Sequence, residues 1–220
     1  KVRLFMVYVK VCGITNVEDA QLAVESGASA IGMVFWPESP RFVDPQKAAR
    51  VRSVLPPWVL PVGVFVDQSI SYVRRVAEII NLGAVQLHGC ESYEYCQSIG
   101  LPIIRAVTVE NGKMMTALSE VPETATVLLD AHDPIKKGGT GKSIDWESAR
   151  SIAKSRKVIL SGGLRPETVA LGFRTVQPFG VDVSSGVEET PGRKDPARLR
   201  SFFKALASVE VGLTDGSVKL

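Results

Sequence analysis

Eight short apolar runs, at 7–12, 30–35, 60–66, 83–88, 102–109, 126–130, 157–161 and 180–184, recur along the chain at intervals of 19 to 31 residues. Each is too short for an ordinary helix and dominated by valine, isoleucine or leucine, the pattern of a strand buried on both faces. Such strands lie parallel, and each parallel pairing needs a crossover of about a dozen residues, usually a helix. The alternation predicts βα units. Eight of them in 220 residues give an α/β fold, a (β/α)8 TIM barrel built as a single compact domain. A doubly wound open sheet uses the same alternation and is the alternative that periodicity leaves standing.

The segments between the runs carry helix signals. Thr15 and Glu18 have the spacing of a capping box, Ala20, Ala23 and Val24 give an apolar face, and Gly27 stands where a C-terminal cap belongs. Asp44-Pro45 and Asp195-Pro196 each place a capping carboxylate before a proline of the first turn. Ile70, Val73, Val76, Ala77 and Ile80 follow helical spacing, as do Trp146, Ala149, Ile152 and Ala153. A short fifth helix is expected around Met114 to Leu118. The barrel domain is expected over 6–207, with residues 1–5 an extension and 208–220 a frayed tail.

Twenty-six basic and 23 acidic residues leave a net charge of +3, too small and dispersed to point to nucleic acid or a membrane surface. No apolar run reaches the roughly 20 residues of a membrane span, and no signal peptide is apparent. Three cysteines, Cys12, Cys90 and Cys96, do not make a disulfide framework, so a reducing, cytoplasmic setting is expected.

In the final third, three apolar runs break off into glycine and small polar residues: GGTGKS after the sixth run, SGG after the seventh, SSG after the eighth. Backbone N–H groups at consecutive strand ends suit an anionic ligand, and barrels commonly hold phosphate after strands seven and eight. Candidate phosphate residues are Gly139, Gly141, Gly162, Gly163, Ser184, Ser185 and Gly186. GGTGKS is not a P-loop, because the pattern needs a glycine where Lys136 stands.

Cys12 ends the first run and Asp130 the sixth. In a barrel both lie at the catalytic mouth. A thiolate near positive charge can act as base or nucleophile; the alternative is an inert core cysteine. Asp130 is costly to bury unless paired, and a structural role would make it a cap or a partner of Lys136, Lys137 or Lys142. Asp67 competes with it, though capping the next helix suits Asp67 better. Arg41, between prolines on the loop after the second run, has the chemistry to clamp a carboxylate, or is a solvated arginine. Gln86 and His88 alternate and so share one side of a strand. With His132 the only other histidine, a metal site is not expected.

KVCGIT (10–15), SPRFV (39–43), VGVFVD (62–67), AVQLHG (84–89), LLDAHDPIKKGGTGKSIDW (128–146), LSGGL (160–164), DVSSGVE (182–188) and PGRKD (191–195) together resemble the phosphoribosylanthranilate isomerase family of tryptophan biosynthesis. The likeness runs from about Met6 to Leu206 and is specific through the order and spacing of its motifs. The resemblance implies a (β/α)8 barrel that performs an Amadori rearrangement on a small phosphorylated substrate, without cofactor or metal. By the same resemblance Cys12 is the general base, Asp130 the general acid and Arg41 the ligand of the anthranilate carboxylate. Gln86, His88 and the phosphate residues named above would complete the substrate site, in a monomer or homodimer. The runner-up is a sibling phosphosugar barrel, including a bifunctional isomerase, whose usual acid-base pair is two aspartates; Cys12 argues against it. A non-catalytic phosphate binder would not need Cys12 and Asp130 together.

Overall fold

A computed structural model describes residues 7–110, 113–114, 117–130 and 146–214. β1 (Tyr8–Cys12), β2 (Ala30–Val34), β3 (Leu60–Phe65), β4 (Ala84–Leu87) and β5 (Ile103–Glu110) follow one another in space. Beyond them come β7 (Thr126–Asp130), β8 (Val158–Leu160) and β9 (Gly180–Val183), and β9 returns to pair with β1. All eight pair in parallel and the sheet closes on itself, so the barrel holds and the open sheet does not.

The helices begin where short polar side chains can take their free N–H groups. α1 (Val17–Ser26) is capped by Asn16, whose side chain accepts from Asp19 N, and ends at Gly27 in the left-handed region. Thr15 is therefore not the cap; its hydroxyl donates to the carbonyl of Gly192 at 2.7 Å. Asp44 caps α2 (Pro45–Ser53) with proline in the first turn, as expected. Ser69, not Asp67, caps α3 (Ile70–Ile80), which buries Val73, Val76, Ala77 and Ile80. α4 (Tyr93–Ser98), α5 (Trp146–Ala153) and α6 (Val169–Val176) follow β4, β7 and β8.

The short helix expected around Met114 to Leu118 does not appear among the described residues. β6 (Lys113–Met114) instead pairs antiparallel with β5, Glu110 opposite Lys113, and only a 3-10 turn at Leu118–Glu120 precedes β7. Asn111-Gly112 stands in sequence between the paired residues, and that dipeptide is the strongest short-range hairpin signal. After β9 the chain makes a 3-10 turn (Ser185–Val187) and a small hairpin of β10 (Glu188–Thr190) and β11 (Arg193–Lys194). It then enters α7 (Pro196–Thr214), where Asp195 accepts from Ala197 N and Arg198 N. α7 passes the expected limit at residue 207 and buries Val209.

Alternation along each strand separates a helix-facing core from smaller clusters inside the barrel. Val9, Val11, Ile31, Met33, Phe65, Leu87 and Leu129 face the helices in the larger cluster. Ala30, Val62, Ala84, Ile104, Ala106, Leu128 and Ile159 form a second cluster, and Cys12, Val34 and Val64 a third near the strands' C-terminal ends. Among the described residues no helix is long and apolar enough to cross a membrane.

Candidate active site

Cys12 closes β1 and is buried beside Gly32, its register partner on β2. A Cβ at Gly32 would lie 2.8 Å from Cys12 Sγ, so only glycine leaves the thiol its space. Two residues earlier on the same face, the wholly buried Lys10 pairs with Asp182 Oδ1 at 2.8 Å. Ser161 donates to the other carboxylate oxygen at 3.2 Å. Burial pushes the Cys12 thiol above its ordinary value, against the opposing pull of Lys10 and Lys194. Burial disfavours the Lys10 ammonium too, but Asp182 and Cys12 more than reverse it, and the amine is held charged.

Asp130 ends β7, and its partner among the described residues is His88, Nε2 to Oδ2 at 3.3 Å. Gln86 and His88 do share a side: Gln86 Nε2 lies 3.2 Å from His88 Nδ1. An amide N–H donating to Nδ1 puts the imidazole proton on Nε2, facing the carboxylate. The loop carrying His88 is pinned from beneath by buried Arg105, which donates to the carbonyls of Leu87 (3.0 Å) and Gly89 (2.8 Å) and pairs with Glu91. Asp67 serves this loop rather than a helix, accepting from Cys90 N at 2.6 Å. Lys136, Lys137, Lys142 and His132 lie outside the described residues.

Arg41 is not solvated. Its Nε and Nη2 grip Glu188 on β10 at 2.6 to 3.1 Å. That takes one edge of the guanidinium and leaves Nη1 with no partner among the described residues, so a second carboxylate can be met only on the Nη1 side. Glu188 also receives buried Lys194 at 2.8 Å, and Lys194 donates to the carbonyls of Cys12 (2.7 Å) and Ser184 (3.3 Å). The Arg41 stem packs where a Cβ of Gly13 would sit, next to Ser184 Oγ. One knot of charge thus ties the ends of β1 and β9 to the loop after β2.

Gly162 and Gly163 both take positive φ after β8, and Ser185 and Gly186 lie in the 3-10 turn after β9. A Cβ at Gly186 would collide with the carbonyl oxygen of Leu164. The two turns are therefore packed backbone against backbone. Gly139 and Gly141 lie outside the described residues. Ser184 Oγ and Gln86 Oε1 are buried with no hydrogen-bond partner among the described residues, and such atoms in a functional cleft mark where a ligand's polar groups go. Among the described residues no cluster of His, Cys, Asp or Glu could hold a metal ion.

The model of N-(5'-phosphoribosyl)anthranilate (PRA) isomerase matches residues 9–205. The chain belongs to the phosphoribosylanthranilate isomerase family. The N-(5'-phosphoribosyl)anthranilate isomerase of Trichlorobacter lovleyi is 46% identical over 202 residues, 90% of this chain and 97% of that protein. Among solved structures, phosphoribosyl anthranilate isomerase from Thermotoga maritima is 43% identical with a TM-score of 0.83, covering 92% of this chain and 100% of that one. A family structure in complex with reduced 1-(o-carboxyphenylamino)-1-deoxyribulose 5-phosphate is 40% identical with a TM-score of 0.79, over 92% of this chain and 100% of that one.

Within this isomerase barrel, the sequence reading named Cys12, Asp130, Arg41, Gln86 and His88 but missed Lys10, Asp182, Ser161, Glu188 and Lys194. A signal existed for two of them. Lys10 and Asp182 are lone charges inside apolar strands, each at an inward-facing parity, and register sets them opposite one another. Glu188 and Lys194 lie in the short hairpin after the last barrel strand, where periodicity says nothing about facing.

Proposed function

We propose that this chain performs its family's Amadori rearrangement, N-(5-phosphoribosyl)anthranilate to 1-(2-carboxyphenylamino)-1-deoxyribulose 5-phosphate, with Cys12 as general base and Asp130 as general acid. The observation that carries the assignment is that both end barrel strands at the same mouth, each inside a hydrogen-bonded or charged setting of its own. Asp130, protonated, donates to the ribose ring oxygen as the C1′–O bond breaks, leaving a protonated Schiff base. The iminium acidifies C2′–H, Cys12 thiolate removes that proton, and the enolamine ketonises. Each such group typically contributes ~10²–10⁴-fold.

Arg41 meets the anthranilate carboxylate through its Nη1 side, with Glu188 fixing the guanidinium plane before substrate arrives. N–H groups at Gly162, Gly163, Ser185 and Gly186, with Ser184 Oγ, take the phosphate, and Gly139 and Gly141 extend the cradle. Remote phosphate binding orients the reacting carbons. Gln86 Oε1 accepts from a ribose hydroxyl. Three free cysteines fit a cytoplasmic enzyme. The assembly is a monomer or homodimer; a solved structure 42% identical is of monomers generated from the dimeric Thermotoga maritima enzyme.

The test is loss of anthranilate fluorescence when freshly generated phosphoribosylanthranilate meets wild type and Cys12→Ala side by side. Rapid loss with wild type alone is expected. Equal turnover by both proteins would remove Cys12 from the chemistry.

A further inference from the structure

A buried ammonium–carboxylate pair is a poor stabilising device, since desolvation consumes most of what the attraction returns and apolar replacements are often as stable. Lys10 and Asp182 therefore need another reason to occupy the barrel's interior. Their surroundings supply one. A Cβ placed on Gly32 would lie 2.8 Å from Cys12 Sγ and 3.1 Å from Lys10 Cε, so sulfur and amine stem crowd one point. The Lys10 stem thus runs beside the thiol, while its ammonium donates to Asp182 at 2.8 Å. Asp182 is itself fixed by Ser161 Oγ at 3.2 Å, so neither member of the pair can swing away.

Resting on the assignment of Cys12 as base, we propose that Lys10 is a positioning residue for the reaction: its ammonium, anchored by Asp182, holds the Cys12 sulfur as the anion that takes the proton. Among the described residues, the other cations near the sulfur are engaged elsewhere. Lys194 reaches the Cys12 carbonyl but is tied to Glu188, which also occupies Arg41. β2 and β3 present Gly32, Val34 and Val64, and the following loop Trp36, all uncharged. Tyr8, beneath the pair, is pushed up to about 12 by burial and stays neutral. Among the described residues, Lys10 is the cation whose stem crowds the same point as the sulfur, and its charge opposes the upward push that burial exerts on the thiol.

The experiment is carbamidomethylation by iodoacetamide from pH 6 to 9.5, read peptide by peptide, with exposed Cys90 as internal reference. Alkylation follows the thiolate fraction. Lys10→Met should slow labelling of Cys12 at pH 8 by tenfold or more, leave Cys90 unchanged, and move the alkaline limb of kcat/KM to higher pH. Lys10→Arg should restore part of both. Lys10→Met/Asp182→Asn removes both buried charges and carries the same expectation if the single variant does not fold. An unmoved Cys12 profile in a folded variant overturns the proposal. So does a wild-type Cys12 that stays unlabelled at pH 9 while Cys90 reacts fully. Failure of the base assignment shows separately, as turnover by Cys12→Ala.

Discussion

His88 Nε2 lies 3.3 Å from Asp130 Oδ2, joining the ends of β4 and β7 across the mouth of the barrel. With Gln86 on its other nitrogen, the imidazole can only turn as part of a fixed chain. Under the proposed mechanism, the second carboxyl oxygen of Asp130 is left to carry the acid proton toward substrate. A hydrogen bond to a charged group contributes about 1.5–3 kcal/mol, so His88→Ala should lower kcat by roughly tenfold or more with little change in KM. Steady-state kinetics decide it, and an unchanged kcat would reduce His88 to a bystander.

Cys12→Ala and Asp130→Asn should each lower kcat by ~10²-fold or more. Neither side chain anchors an element, so circular dichroism and the urea midpoint should stay close to wild type. Turnover within a few-fold of wild type in either variant would remove that residue's role.

Arg41→Ala should mainly raise KM, since it removes binding shared by ground and transition states. Glu188→Gln reaches further, because it leaves both Arg41 and buried Lys194 facing a neutral amide. Breaking one side of a buried ion pair costs about 3–5 kcal/mol, to be read as a lower urea midpoint at pH 7.

Glu188 also gives a pH signature. Burial pushes its carboxyl up, but Arg41 and Lys194 more than reverse this and hold it below the usual range. Its stabilising contribution is complete above the unfolded-state value of about 4.3 and fades as pH falls through the lower folded value. Wild type should therefore lose urea resistance below about pH 4, and Glu188→Gln should lose less over the same interval.

Gly186→Ala should disturb the proposed phosphate cradle. The added methyl meets the Leu164 carbonyl, so the turns after β8 and β9 must separate. Overpacking of this kind costs about 1–3 kcal/mol. Protection of the fold by inorganic phosphate, measured as a thermal shift, should shrink as well.

The strands were legible because both of their faces are buried, which makes each run almost wholly apolar and bounds it to within a residue or so. Caps at Asp44 and Asp195 were legible because proline follows each. Where two polar residues compete, local reading fails: Asn16 takes the α1 cap because Thr15 is drawn to Gly192. The short helix expected around Met114 gave way to the antiparallel pairing of β6 with β5, which the Asn111-Gly112 dipeptide in the sequence could have signalled. The site was half visible. Residue type and strand-end position marked Cys12, Asp130 and Arg41, but their charge partners lie far off in sequence. Arg41 and Glu188 are 147 positions apart, Lys10 and Asp182 172. Only barrel closure and loop packing bring such pairs together.

Lys194 holds the carbonyl of Cys12 from 182 positions further along the chain. During synthesis from the N-terminus, Lys10 and Cys12 emerge long before Asp182, Glu188 and Lys194, which complete the charged surroundings of the thiol. A nascent chain that has built most of its strands still has an open seam between β1 and the missing β9. Competence for the reaction therefore arrives as a single late event, when the final strand and its hairpin dock against the first.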